Sequence, residues 1–208
     1  KKFGSNDVLM LLDQGGGSLE ISYAFVNNFH KKGVYSFDDL GSLALRKRFF
    51  SMVDHETSIE PHSNQNQIAQ QHQQTLQYIK DRLANWQGYP ELKDRKIYAY
   101  AMGSAASRIL NKSTYEMHNT LLNTQQIEKK INKTFWKPDQ ESQIISKLYQ
   151  KFYAHNNGSK SKEEEKLLIL YGLPVYLEAL KKFNLKSMRF CGYGLRYGVF
   201  TGIHRWKI

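Results

Sequence analysis

Residues 7–26 read DVLMLLDQGGGSLEISYAFV, and this stretch decides how the chain folds. Val8 to Leu12 is a short apolar run that stops at Asp13-Gln14-Gly15-Gly16-Gly17-Ser18. Leu19, Ile21, Tyr23 and Phe25 then alternate with smaller or polar neighbours. Alternation with a period of two puts one set of side chains on one face of a strand, so the segment predicts strand, glycine turn, strand. Three successive glycines remove every Cβ from the turn, which lets backbone N–H groups crowd around an anion, and Ser18 adds a hydroxyl donor. Asp13 at the strand end and Glu20 just past the turn are acids that can hold Mg2+, or orient a water, beside a phosphate bound there. A plain hairpin with solvated acids is the alternative the same residues allow.

Working outward, VYSF after the KKG of residues 31–33 predicts a third strand, and SLALRKRFFSMV at 42–53 has helical spacing of its apolar residues. Residues 54–74 read as a polar loop that turns into a helix, carried on by Ile68, Leu76, Ile79, Leu83 and Trp86 to Gly88 and closed by Pro90. KIYAYAMGSAASRIL at 96–110 repeats the strand, glycine turn, helix pattern. Its Gly103 and Ser104 stand at the junction, where helix amides attract anions, although small residues also serve ordinary strand-to-helix packing. Thr124 is the expected N-cap of a helix around QQIEKKINKTF, followed by a helix around SQIISKLYQKFY and a loop at HNNGSKSKEEE. A long helix from about Glu164 to Phe183, a short strand SMRF and a third glycine turn in CGYGLRYGVFTGI complete the chain. Arg196 in that turn is a candidate partner for phosphate, with a solvated or structural role as the alternative.

The composition of the 208 residues bounds the function classes. Thirty Lys+Arg against nineteen Asp+Glu leave a formal charge of +11, a field that favours anionic partners such as polyphosphate, nucleotides or nucleic acid. No run approaches the roughly 20 apolar residues that cross a bilayer, so no membrane partner is expected. The single cysteine, Cys191, excludes an internal disulfide framework and a thiolate zinc cluster, and a reducing cytoplasm is the expected compartment. His55, His62 and His72 fall in the polar stretch without ligand spacing, so solvated positions are expected of them. Aromatic residues interleave with lysines but form no nucleic-acid recognition signature, so nucleic acid is not an expected partner.

Four segments in their order resemble the exopolyphosphatase/guanosine pentaphosphate phosphatase family, within the superfamily of actin and sugar kinases. They are DQGGGSLE at 13–20, DDLGSLALRKRF at 38–49, AMGSAASRIL at 101–110 and GLPVYLEALKKFNLKSMRFCGYGLRYGVF at 172–200. The resemblance implies an α/β ribonuclease-H-like (actin-like ATPase) domain, a mixed sheet with appended helices. It further implies that residues 1–208 form the second lobe of a two-lobed core, the first lobe being absent from this chain. Within such a cleft Asp13 and Glu20 support a divalent cation, Mg2+ or similar, and water. Gly15, Gly16, Gly17 and Ser18 hold phosphate, with Gly103, Ser104 and Arg196 lining the same cleft.

The implied activity is hydrolysis of phosphoanhydride bonds in inorganic polyphosphate or guanosine penta/tetraphosphate by Mg2+-assisted attack of water. The isolated chain is expected to be inactive without the other lobe, and a homodimer is an option for the full-length protein. The chain departs from the family where Cys191-Gly192 and Arg196-Tyr197-Gly198 replace acid-bearing sequences and where Ala44 and Lys47 replace an Arg and a Glu. A different class of reading is a catalytically silent module that binds polyanions or associates with another subunit. A kinase relative for sugars or acetate is a third, disfavoured by the order of the last two motifs.

Overall fold

The computed structural model describes residues 4, 6–50, 64–86, 92–107, 120–135 and 162–192. Three strands open the chain: β1 (Val8–Gln14), β2 (Leu19–Phe25) and β3 (Asn28–Phe37). Two helices follow, α1 (Ser42–Phe50) and α2 (Asn64–Ala84), then β4 (Ile97–Met102) and the single turn α3 (Ser104–Ser107). The short β5 (Leu121–Asn123) leads into α4 (Thr124–Phe135), and α5 (Lys162–Lys182) returns the chain to β6 (Ser187–Phe190). The strands form one mixed sheet in the order β3–β2–β1–β4–β6–β5. β1, β2 and β3 make an antiparallel meander, β4 and β6 run parallel to β1, and β5 is antiparallel to β6.

The period-two pattern explains the layering. Val8, Met10 and Leu12 of β1 and Leu19, Ile21 and Tyr23 of β2 are buried on one face, while the residues between them are half-buried. α5 is the hub of the helical layer and packs against α1, α2, α3 and α4. Its Leu173, Val175, Tyr176, Ala179 and Leu180 are buried, as an apolar helix without a polar face requires. Trp86, just past α2, meets Tyr23, Tyr35 and Phe183 edge-on at ring separations of 6.3, 5.1 and 5.2 Å, joining the meander to the end of α5. The β3–α1 corner is latched to α2 at Asp39: the Tyr78 hydroxyl donates to its Oδ2 at 2.5 Å and Arg82 Nε lies 2.8 Å from the same oxygen.

Several expectations shift. β3 begins at Asn28 and runs through His30, Lys31 and Lys32 rather than starting at Val34; it is an edge strand, where lysines are tolerated and discourage further pairing. The cap of α4 is Asn123, not Thr124. The Gln126 N–H donates to Asn123 Oδ1 at 2.9 Å while the Asn123 N–H donates to Gln126 Oε1 at 3.0 Å, a reciprocal capping box. β5 ends at that cap, in residues to which the sequence pattern assigns no element. His72 lies within α2 but is not solvated as expected: burial pushes its imidazole down to about 4. His55, His62, the helix expected around SQIISKLYQKFY and the HNNGSKS loop lie outside the described residues.

Candidate functional site

β1 and β2 face each other residue for residue, and the register sets Asp13 directly opposite Glu20. Side chains in such a pair share a face, with Cβ atoms about 5 Å apart. Both are half-buried. Burial first, and the neighbouring Glu20 second, hold the Asp13 carboxyl above its usual range. Asp13 has no ion pair among the described residues. Next in the row, Ser36 of β3 sits opposite Glu20; its hydroxyl donates to Asp38 Oδ1 at 2.7 Å and lies 3.5 Å from Glu20 Oε1.

The turn between the strands is built against α1. The N–H groups of Ser42, Leu43, Ala44 and Gly41 donate to carbonyls of Gly15 (3.1 Å), Gly16 (2.8 and 3.0 Å) and Gly17 (3.3 Å) respectively, so the turn's own backbone caps the helix. Those helix amides are therefore spent and do not form an anion site. The carbonyls of the turn point to the helix, and among the described residues the N–H groups of Gly16, Gly17 and Ser18 donate to nothing. No atom lies within 4 Å of where a side chain on Gly17 would begin, so that side of the turn is open. Gly41 is required by the close approach: a Cβ there would stand 2.2 Å from the Gly17 carbonyl carbon.

The second glycine turn meets the first. β4 ends at Met102, which pairs with Asp13, and Gly103 follows with φ of 106° and its would-be Cβ 2.3 Å from the Gln14 carbonyl oxygen. This left-handed conformation favours glycine. Ser104 is exposed beside it, but α3 is a single described turn, so the expected helix dipole is small there. From below, the buried Tyr176 hydroxyl of α5 donates to the Met102 carbonyl. Burial, then the charge of Asp13, pushes that phenol up. Gly172 of the same helix lets α5 close on Ala105, with its would-be Cβ 2.3 Å from the alanine Cβ and 3.1 Å from Gln14 Oε1.

The structure thus gathers Asp13, Gly15, Gly16, Gly17, Ser18, Glu20, Gly103 and Ser104 at one end of the sheet. Arg196 and Gly194 lie outside the described residues; the third turn is followed only to Gly192, after the Cys191 N–H has donated to the Ala101 carbonyl at 2.8 Å. Gln14, Gly41, Gly172 and Tyr176 shape the site without having been singled out for it. A glycine inside the apolar helix run LYGLPVYL was the available signal of a close approach. Among the described residues no group of three or more acidic, His or Cys side chains is arranged to hold a metal. Asp13 and Glu20 nevertheless fit Mg2+, which takes one or two carboxylates and completes its shell with water and substrate phosphate; the mutual repulsion that raises Asp13 is what a cation there relieves.

A family model described as the Ppx/GppA phosphatase family matches residues 2–205. Among solved structures, the chain is similar to the Aquifex aeolicus Ppx/GppA family member, with TM-score 0.64 and 18% identity over 97% of this chain and 57% of that one. A structure titled as an exopolyphosphatase-like protein gives TM-score 0.62 and 11% identity over 96% of this chain and 60% of that one. The exopolyphosphatase from Cytophaga hutchinsonii gives TM-score 0.53 and 14% identity over 95% and 57%. At these identities the likeness is one of fold, the actin-like ATPase fold, and this chain spans 57 to 60% of the length of those relatives. A search of curated protein sequences gives no match. With its six-stranded mixed sheet and a family match over nearly its whole length, the chain belongs to the Ppx/GppA phosphatase family.

Proposed function

We propose that residues 1–208 are one α/β lobe, the second half, of a two-lobed phosphohydrolase that removes terminal phosphate from inorganic polyphosphate or guanosine penta/tetraphosphate. The observation that carries the reading is the glycine turn: its carbonyls are spent on Gly41 and α1, and its amides at Gly16, Gly17 and Ser18 have no partners among the described residues, next to the Asp13–Glu20 pair. Amides fixed in this way stabilise charge on nonbridging phosphoryl oxygens without reorganising during reaction. Asp13 and Glu20 would hold Mg2+, which when bound would supply charge neutralisation at the phosphate. The two carboxylates also orient the attacking water, while the Ser18 hydroxyl, Gly103, Ser104 and Arg196 line the path of the phosphate chain. Water attacks the terminal phosphorus, the bond to the bridging oxygen breaks, and orthophosphate and a chain one unit shorter leave. The base that takes the water's proton comes from the other lobe, so the chain alone turns over little or nothing.

The shortfall in length against the solved relatives supports the one-lobe reading, and Cys191 as the sole thiol accords with a cytoplasmic protein. The test is phosphate release from polyphosphate and from guanosine pentaphosphate by the protein with whatever coding sequence precedes Lys1, wild type against Asp13→Asn. Loss of one charge-assisted contact in the transition state costs about 3 kcal/mol, roughly a hundredfold in rate. An Asn variant within twofold of wild type makes Asp13 a turn residue only. Absence of release from both substrates with the complete gene product favours the silent polyanion-binding reading.

A further inference from the structure

The opposite end of the sheet carries a second feature. Where β1 and β4 start and β2 ends, Lys31, Lys32, Lys93, Arg95 and Lys96 gather on one rim. None of the five has an ion pair among the described residues. Lys31 Nζ lies 4.7 Å and Arg95 Cζ 5.4 Å from the centre of the same Phe25 ring, and Lys96 Nζ lies 5.2 Å from the Tyr98 ring. Arg95 Nη1 is further held by Asn6 Oδ1 at 2.8 Å. Lys32 enters the same end from β3, in the row Lys32–Ala24–Leu9–Tyr98 that crosses four strands. Of the described acids nearby, Asp7 is buried, accepts from the Gly4 N–H at 2.7 Å and acts on Lys96, and Asp94 is exposed between Lys93 and Arg95; neither forms an ion pair with the five cations.

Like charges collected on one rim repel, and among the described residues no ion pair offsets that repulsion; an external polyanion does, and gains the entropy of its released counterions. We infer that this rim is a docking surface for a long phosphate chain, separate from the glycine-turn site at the far end of the sheet. A phosphate chain fits better than single-stranded nucleic acid because the rings here are platforms for cations rather than for bases. Phe25 is only 5% exposed beneath Lys31 and Arg95, and Tyr98 is engaged by Lys96, so neither offers the free face on which a base stacks. A chain seated on the rim raises the local concentration of the polymer whose terminus is to be cut, as two linked sites do.

The choice of ligand rests on the phosphate-chain reading of the first site; the binding itself does not require turnover. The test is equilibrium binding of labelled long-chain polyphosphate, and of tripolyphosphate, at several salt concentrations. The triple variant Lys31→Gln, Lys32→Gln, Lys96→Gln is expected to bind long chains about tenfold more weakly, with the logarithmic salt slope reduced by about 2 for the three lost contacts. Tripolyphosphate binding stays unchanged, and the corresponding Lys→Arg triple restores long-chain affinity. Long-chain affinity within twofold of wild type in the Gln triple overturns the inference, as does single-stranded RNA that displaces the chain equally well. If the gene product releases no phosphate but the Gln triple still loses the long chain, the hydrolytic reading fails and the rim stands.

Discussion

At the end of the sheet where β1 and β4 finish, Asp13, Glu20 and Asp38 stand beside a glycine turn locked to Gly41 and the start of α1 by four backbone hydrogen bonds. At the end where the same strands begin, five cations without ion pairs among the described residues gather, three of them over aromatic rings. The first end is held by backbone contacts so close that a single methyl group has no room. The second is held by side chains whose heads remain in water. The two proposed anion sites therefore differ, one rigid and one adaptable, and substitutions should act through different quantities at each: geometry at one, charge at the other.

The largest effect tests the rigidity of the glycine end. Gly41→Ala places a methyl 2.2 Å from the Gly17 carbonyl carbon and 2.3 Å from both the Gly16 oxygen and the Ser18 nitrogen. Backbone cannot yield as a side chain does, so the cost lies at or above the top of the usual range for overpacking, about 3 kcal/mol. For a domain of this size that lowers Tm by roughly 6–12 °C in a circular-dichroism melt. Gly17→Ala, one residue type at the open side of the same turn, should change stability by less than about 0.5 kcal/mol. Equal losses in the two variants break the picture of a turn rigid on one side and open on the other.

Two titrations sharpen it next, with opposite signs in overlapping windows. His72 has a folded pKa depressed to about 4 from an ordinary 6.5, so its neutral form is favoured by folding. The stability this confers is complete above pH 6.5 and is lost as pH falls towards 4, by about 2 kcal/mol after allowance for its partial exposure. Urea denaturation of His72→Gln should lack that loss. Asp13 shifts the other way: a carboxyl raised in the folded state takes up its proton earlier there than in the unfolded chain, so its contribution improves as pH falls through the raised value towards 3.8. Asp13→Asn should therefore be favoured over wild type at neutral pH, by removing a charge that burial first and the neighbouring Glu20 second disfavour, and lose that advantage in acid. A difference that does not change with pH shows that neither burial nor Glu20 disfavours the Asp13 charge.

The smallest effect belongs to the cationic end. Lys32→Gln breaks no ion pair among the described residues, so its stability should move by under about 0.5 kcal/mol, upward if the rim's self-repulsion is felt. A drop of 2 kcal/mol in the same melt would make the rim structural.

What could be read in advance divides along the same line. The meander and the glycine turn were legible because period-two alternation and three adjacent glycines are local signals, and the cross-strand pairing of Asp13 with Glu20 follows from a four-residue turn. The extension of β3 through His30, Lys31 and Lys32 was hidden because lysines suit an edge strand for reasons of pairing rather than burial. β5 was hidden because three residues, Leu121–Asn123, give no period, and the shift of the α4 cap to Asn123 depended on where that strand ends. The supports of the site were illegible for a different reason. Gly41 against Gly17, Gly172 against Ala105 and Tyr176 beneath Met102 are contacts between residues far apart in the chain, and no local pattern reports them.

The central claim is that the free amides of the glycine turn bind phosphate while Asp13 recruits the cation. Amide chemical shifts in 15N-labelled protein, followed as tripolyphosphate is added with and without Mg2+, test it without needing turnover. The account predicts that the Gly16, Gly17 and Ser18 amides move most, that Mg2+ enlarges the response, and that Asp13→Asn keeps the phosphate shifts but loses their dependence on Mg2+. Turn amides that stay still while resonances elsewhere move, or a Mg2+ dependence that survives in Asp13→Asn, would contradict it.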